Sequence, residues 1–112
     1  MNKIYVLNSL IVPIDFEKNP KVQVKLSRIS VQEAKGLLKG DFISAIGHEG
    51  SAQVLSQLLG IKIPVNRISV FFEKGDIGVH LFLKQRLPEG KVLSEEELKN
   101  LDFWLVLSEV KE

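Results

Sequence analysis

A short apolar run, Phe42-Ile43-Ser44-Ala45-Ile46, stops at Gly47-His48 and gives way to a helical stripe of Ala52, Val54, Leu55, Leu58 and Leu59, closed by Gly60. A change of hydrophobic period inside one turn commits the chain to a strand that feeds a helix. Such a junction aims backbone N–H groups and the positive end of a helix dipole at whatever stands before it, which suits an anion such as phosphate. His48 lies on the turn, where a side chain that titrates near neutrality can meet a ligand. For these residues taken alone, a solvated loop histidine is the simpler account.

The flanking pattern extends the reading in both directions. Lys3-Ile4-Tyr5-Val6-Leu7 is rich in strand formers and ends at Asn8-Ser9, two turn residues whose side chains can also hydrogen-bond a ligand. Leu10 to Pro20 is a connection with room for one helical turn at Ile14–Lys18, and Val22–Leu26 alternates as a half-solvated strand. Ser30-Val31-Gln32-Glu33 is a capping box that starts a helix with Val31, Ala34, Leu37 and Leu38 on one face and Gly40 at its end. Gly36 weakens that helix by roughly 1 kcal/mol relative to Ala. Phe42–Ile46, apolar or small on both faces, reads as a central strand. Arg67–Phe72 and Ile77–Lys84 read as two strands of a hairpin turning at Glu73-Lys74-Gly75-Asp76. A polar loop from Gln85 to Leu93 leads to a second capping box, Ser94 to Glu97, stapled by Leu93 and Leu98. A short helix then precedes a last apolar strand, Phe103–Leu107.

About five or six strands and three helices in mixed order make an α/β fold bordering on α+β. The expectation is one domain over residues 1–112, with a mixed sheet flanked by its helices. At 112 residues, 45% hydrophobic, the chain is long enough for one core without staples, and it has no cysteine for disulfides, thiolate metal sites or a cysteine nucleophile. No apolar run approaches the roughly 18 residues of a membrane span, and the N-terminus has no signal-peptide pattern, so a soluble cytoplasmic protein is expected. Net charge is +1, split as +2 over residues 1–60 and −1 over residues 61–112. That balance disfavours a general nucleic-acid coat and leaves anion binding to a few placed groups.

Several chemistries find little support. The two histidines stand far apart, no paired carboxylates share a helix face, and Glu95-Glu96-Glu97 suits the first turn of a helix better than a metal. No nucleophile elbow, Walker motif or dinucleotide fingerprint runs through Gly47 and Gly50. His80, in mid-strand beside Phe82, reads as structural or solvated, and Trp104 as core or subunit interface. The loop Gln85-Arg86-Leu87-Pro88-Glu89-Gly90-Lys91 is different, because Arg can grip a phosphate bidentately and Lys can add a point charge. A histidine at a helix start together with this loop makes phosphodiester chemistry conceivable.

Ala45-Ile46-Gly47-His48-Glu49-Gly50-Ser51, Asn66-Arg67 and Gln85-Arg86-Leu87-Pro88-Glu89-Gly90-Lys91-Val92-Leu93-Ser94 together resemble the viral ring nucleases, a family of type III anti-CRISPR proteins of archaeal viruses and phages. The resemblance runs over nearly the whole chain from the strand that ends at Asn8. It implies an enzyme that needs neither metal nor cofactor and cleaves cyclic tetra-adenylate, the messenger of type III CRISPR complexes, to linear di-adenylates with 2′,3′-cyclic phosphate ends. It implies His48 as general acid, Arg86 as phosphate-binding residue and Glu89 as a catalytic or positioning carboxylate. Asn8, Ser9, Gly47, Gly50, Ser51, Arg67, Gln85, Arg86 and Lys91 make up the implied ligand-binding set. A C2 homodimer, no membrane and no duplex DNA complete the implied partners, with the host cytoplasm as location. One departure stands out: family members carry polar residues just after the first Asn, where this chain has Leu10-Ile11-Val12-Pro13. The alternative is a protein of the same fold that binds a cyclic nucleotide or nucleic acid without cleaving it.

Overall fold

The structure is a computed structural model that describes residues 2–85 and 93–112. Five strands form one mixed sheet: β1 (Ile4–Leu7), β2 (Val24–Ile29), β3 (Ile43–Ser44), β4 (Ile77–Leu83) and β5 (Phe103–Val110), in the spatial order β2-β5-β4-β1-β3. Three helices, α1 (Val31–Leu37), α2 (Glu49–Leu59) and α3 (Glu95–Lys99), complete the α/β architecture. β1 runs parallel to β3 and to β4, whereas β5 pairs antiparallel with both β4 and β2. The sheet therefore divides at β4 into a parallel half and an antiparallel half.

Local chemistry accounts for the helix starts. Ser30 and Ser94 each accept from the backbone N–H three residues on, while Glu33 and Glu97 return the bond to the cap backbone, so both expected capping boxes form. α2 ends where Gly60 takes a left-handed φ of 65°, and its buried stripe of Ala52, Val54, Leu55 and Leu59 faces the sheet core. α1 ends at Leu37, with Leu38 as its C-cap, before the chain reaches Gly40.

Alternation along β4 sorts side chains onto two faces. Val79 and Leu81 join Val6, Leu105 and the helix residues in the main core. Gly78, His80 and Phe82 take the other face with Tyr5 and Leu7, where a smaller cluster gathers around Phe72 and Val110. Phe72 is fully buried there and packs 4.8 Å, centroid to centroid, from Tyr5.

Two expectations are overturned. Phe42–Ile46 is not a central strand: β3 keeps two residues and sits at the edge of the sheet, beyond β1. Arg67–Phe72 is not a hairpin strand, because β4 already has β1 on one side and β5 on the other. That segment instead crosses the second face, and its end is fastened by a bridge between Ile14 and Phe72, with the Phe72 N–H donating to the Pro13 carbonyl at 2.8 Å. The expected turn at residues 73–76 survives with a different task. Buried Asp76 accepts from the backbone N–H groups of Lys3 and Glu73, and its own carbonyl accepts from Val110 N–H. The turn thus locks the start of β1 to the end of β5. The helical turn expected near Ile14–Lys18 is present, closed by Asn19 N–H on the Asp15 carbonyl. β2 begins two residues later than the alternation of Val22–Leu26 suggests.

Phe72→Ala should cost about 3–5 kcal/mol, read as a lower urea midpoint, because it empties the second core. Gly36→Ala should have the opposite sign. Gly36 is exposed and a Cβ there meets nothing within 4 Å, so the helix should gain roughly 0.4–1 kcal/mol.

Candidate functional site

Parallel strands align their carboxyl ends, and α/β sheets bind ligands in the crevice beyond those ends. Here β1, β3 and β4 deliver Asn8-Ser9, Gly47-His48 and Gln85 to one end of the sheet. His48 is the N-cap of α2, with extended φ and ψ of −128° and 121°. Its carbonyl accepts from Ala52 N–H at 3.2 Å, but its imidazole makes no capping bond and is exposed. The ring is therefore free to address a ligand, and the first N–H groups of an 11-residue helix open beside it.

A clip of backbone contacts holds the turn. Ala45 N–H bonds the Val6 carbonyl at 2.8 Å, fastening the turn to β1. Asn66 donates its backbone N–H to Ile46 and its side-chain amide to Ser44, each at 2.8 Å. Arg67 then donates Nε–H to the Gly47 carbonyl at 2.7 Å, which keeps its guanidinium beside the His48 turn. A Cβ on Gly47 would lie 3.1 Å from Arg67 Cγ, so the Arg67 side chain packs closely over the glycine and would have to give by a few tenths of an ångström to admit a larger residue.

A cleft of about 320 Å³ opens next to Asn8 and Ser9 at the ends of β1 and β3, walled by Ile11, Pro13, Ile68 and Phe71. These apolar walls carry no chemical signature in the sequence. They come from the Leu10–Pro13 stretch and from residues 67–72, the segment expected as a hairpin strand. Neither His48 nor Arg67 lines the cleft.

The remaining expected residues fall out unevenly. Gly50 lies in the first turn of α2 and is half-buried; Ser51 is buried on the core side of the helix, so its side chain does not face solvent. Gln85 is exposed just beyond β4, and its Oε1 accepts from Asp102 N–H at 2.8 Å. Arg86, Glu89 and Lys91 lie outside the described residues. Among the described residues no group of three or more His, Asp or Glu side chains is placed to hold a metal ion. Trp104 is 38% exposed rather than in the core, stacked on Phe82 with Lys84 Nζ 4.7 Å above its ring.

His80 proves structural rather than solvated. It is fully buried, with Nδ1 2.9 Å from the Ser9 carbonyl and Nε2 2.7 Å from Ser108 Oγ. Burial pushes its pKa below the ordinary 6.5, partly offset by the Ser9 bond.

Fold and site define a small α/β protein with an exposed histidine at an open helix N-terminus, beyond the ends of its parallel strands. The chain belongs to the STIV B116-like family, whose pattern it matches over residues 4–105. It is 43% identical over 104 residues to the ORF117 protein of Acidianus two-tailed virus, covering 89% of this chain and 86% of that one. A protein of a Sulfolobus islandicus filamentous virus is 39% identical over 109 residues, covering 96% of this chain and 91% of that one. YddF of Bacillus subtilis is 34% identical over 86 residues, covering 74% of this chain and 80% of that one. The structure of B116 from Sulfolobus turreted icosahedral virus shares the fold with a TM-score of 0.83 and 24% identity, over 96% of this chain and 99% of that one. No helix among the described residues is long and apolar enough to cross a membrane.

The lowered pKa of His80 fixes the sign of one pH effect. Protonation is easier in the unfolded chain, so the stability that neutral His80 confers is complete above about pH 6.5 and is lost as pH falls toward the folded-state value. Melting temperature should drop between pH 7 and pH 5, and His80→Asn should flatten that slope; parallel slopes would contradict the assignment.

Proposed function

We propose that this protein is a metal-independent ring nuclease that cleaves cyclic tetra-adenylate to di-adenylates with 2′,3′-cyclic phosphate ends, and so silences type III CRISPR signalling. The observation that carries the reading is the exposed, uncommitted imidazole of His48 at the N-terminus of α2, on the same end of the sheet as Asn8 and Arg67. An anionic ring fits that end, and each of its linkages brings its own nucleophile.

The reaction asks little beyond placement and charge. A ribose 2′-OH releases its proton to solvent as its oxygen attacks the neighbouring phosphorus in line, the P–O5′ bond breaks, and the new bond closes a 2′,3′-cyclic phosphate. The departing 5′-oxygen takes a proton, which protonated His48 supplies as general acid. Arg86 neutralises the charge that builds on the phosphorane oxygens, and Glu89 acts as the catalytic or positioning carboxylate. The N–H groups of Gly50 and Ser51, with Asn8, Ser9, Gln85 and Lys91, hold the phosphates and the ring around them.

Assembly as a C2 homodimer belongs to the same reading. A four-nucleotide ring can present equivalent phosphates across a twofold axis, so two copies of His48 account for two cuts. Exposed Phe82, Trp104 and Leu26, on the sheet face away from the main core, are compatible with a partner copy.

Labelled cyclic tetra-adenylate incubated with the protein in EDTA should yield di-adenylate. Retention of the ring on the protein without cleavage would make it a sequestering module instead, and no interaction at all would defeat both readings. His48→Ala should slow cleavage by at least about 100-fold while the ring still binds; unchanged turnover would refute its role. Arg86→Ala should weaken both binding and rate. Sedimentation at assay concentration should show a dimer, and full activity of a strict monomer would refute the shared site.

A further inference from the structure

β4 carries a titratable side chain that this chemistry does not use. His80 is 0% exposed, and its ring lies nearly parallel to that of Phe72, 12° apart with centroids at 6.4 Å. A carbonyl oxygen only accepts, so the 2.9 Å contact with Ser9 places the imidazole hydrogen on Nδ1. The bare Nε2 must then accept from the Ser108 hydroxyl at 2.7 Å. Its neighbours thus dictate both the tautomer and the orientation of the ring. Gly78 makes the room, since a Cβ there would stand 2.7 Å from both His80 Nε2 and Ser108 Oγ.

The bond to Ser9 joins positions 71 residues apart, and Ser9 begins one wall of the cleft. Phe72 fixes the other end of that wall through its N–H bond to the Pro13 carbonyl. The stretch from Ser9 to Pro13 is therefore suspended between two anchors that pack on each other, and Asn8 stands immediately before the first. We infer that His80 is a positioning residue for the ligand: through Nδ1–H it sets the Asn8–Pro13 wall, and hence the direction of the Asn8 side chain. The inference rests on the reading of Asn8 as a ligand group of the ring nuclease. It gives the apolar Leu10–Pro13 stretch a definite task, that of a shaped wall held from beneath.

Three variants test it with cyclic tetra-adenylate as probe. His80→Leu removes the donor at similar volume, His80→Asn keeps an N–H near the position of Nδ1, and Ser108→Ala leaves the buried Nε2 without its donor and loosens the hold on the ring's orientation. His80→Leu should raise KM about 10-fold with kcat within about 2-fold, and His80→Asn should recover most of the loss. In an Asn8→Ala background His80→Leu should add no further loss, because the two act through one wall. Equal effects of Leu and Asn, or a fall in kcat at unchanged KM, would overturn the role. Should His80→Leu fail to fold, Ser108→Ala decides, with a KM rise of about 3-fold expected and no change overturning it. If the wild-type protein neither binds nor cleaves the ring, the ring nuclease reading fails by itself. The amide resonances of Asn8, Ser9 and Leu10 then judge the positioning role: they must move in His80→Leu and return toward wild type in His80→Asn.

Discussion

The structure depends on β4 pairing in two senses at once, parallel to β1 and antiparallel to β5. As the middle strand it has a neighbour along each edge and core residues on both faces, so Val79 and Leu81 are fully buried. Its parallel side aligns the carboxyl ends of β1 and β3 with its own and creates a common rim. Its antiparallel side brings β5 and Ser108 under His80. The rim gathers Asn8, Ser9 and His48, and the other side supplies rigidity beneath them.

Around the rim the division of labour follows from backbone hydrogen bonds. The turn that bears His48 is held by its backbone, to Val6 through Ala45 and to Asn66 through Ile46, so the imidazole itself remains uncommitted. Arg67 spends one donor on Gly47 and keeps a guanidinium near the turn. A buried unpaired polar group costs free energy, which is why Ser9, Ser108 and His80 complete one another under the cleft.

Much of this was legible in the amino-acid order, where the determinants are local. Both capping boxes, the α2 stripe and the place of His48 at a helix start depend on neighbours three or four residues away, and all appear as expected. The order of strands was not legible, because period-two alternation describes any extended segment over an apolar surface and does not say which edge it takes. Arg67–Phe72 shows this: Phe72 is buried as a strand residue would be, yet the segment crosses a face instead of joining the sheet. The burial of Ser51 was legible too, since it stands three and four residues before Val54 and Leu55 and so shares their buried side of α2. The cleft walls Ile11 and Phe71 could not be found from sequence, because apolar residues announce packing and not ligands.

Pairing Ile4 with Ile77 has a consequence for how the molecule comes into being. A contact over so great a sequence separation must overcome a large loop-closure entropy before it gains anything, and such contacts slow folding. During synthesis β1 emerges long before the strand that will flank it, and the rim cannot exist until both are present. An N-terminal fragment holding Asn8 and His48 would therefore carry the residues of the site without its shape.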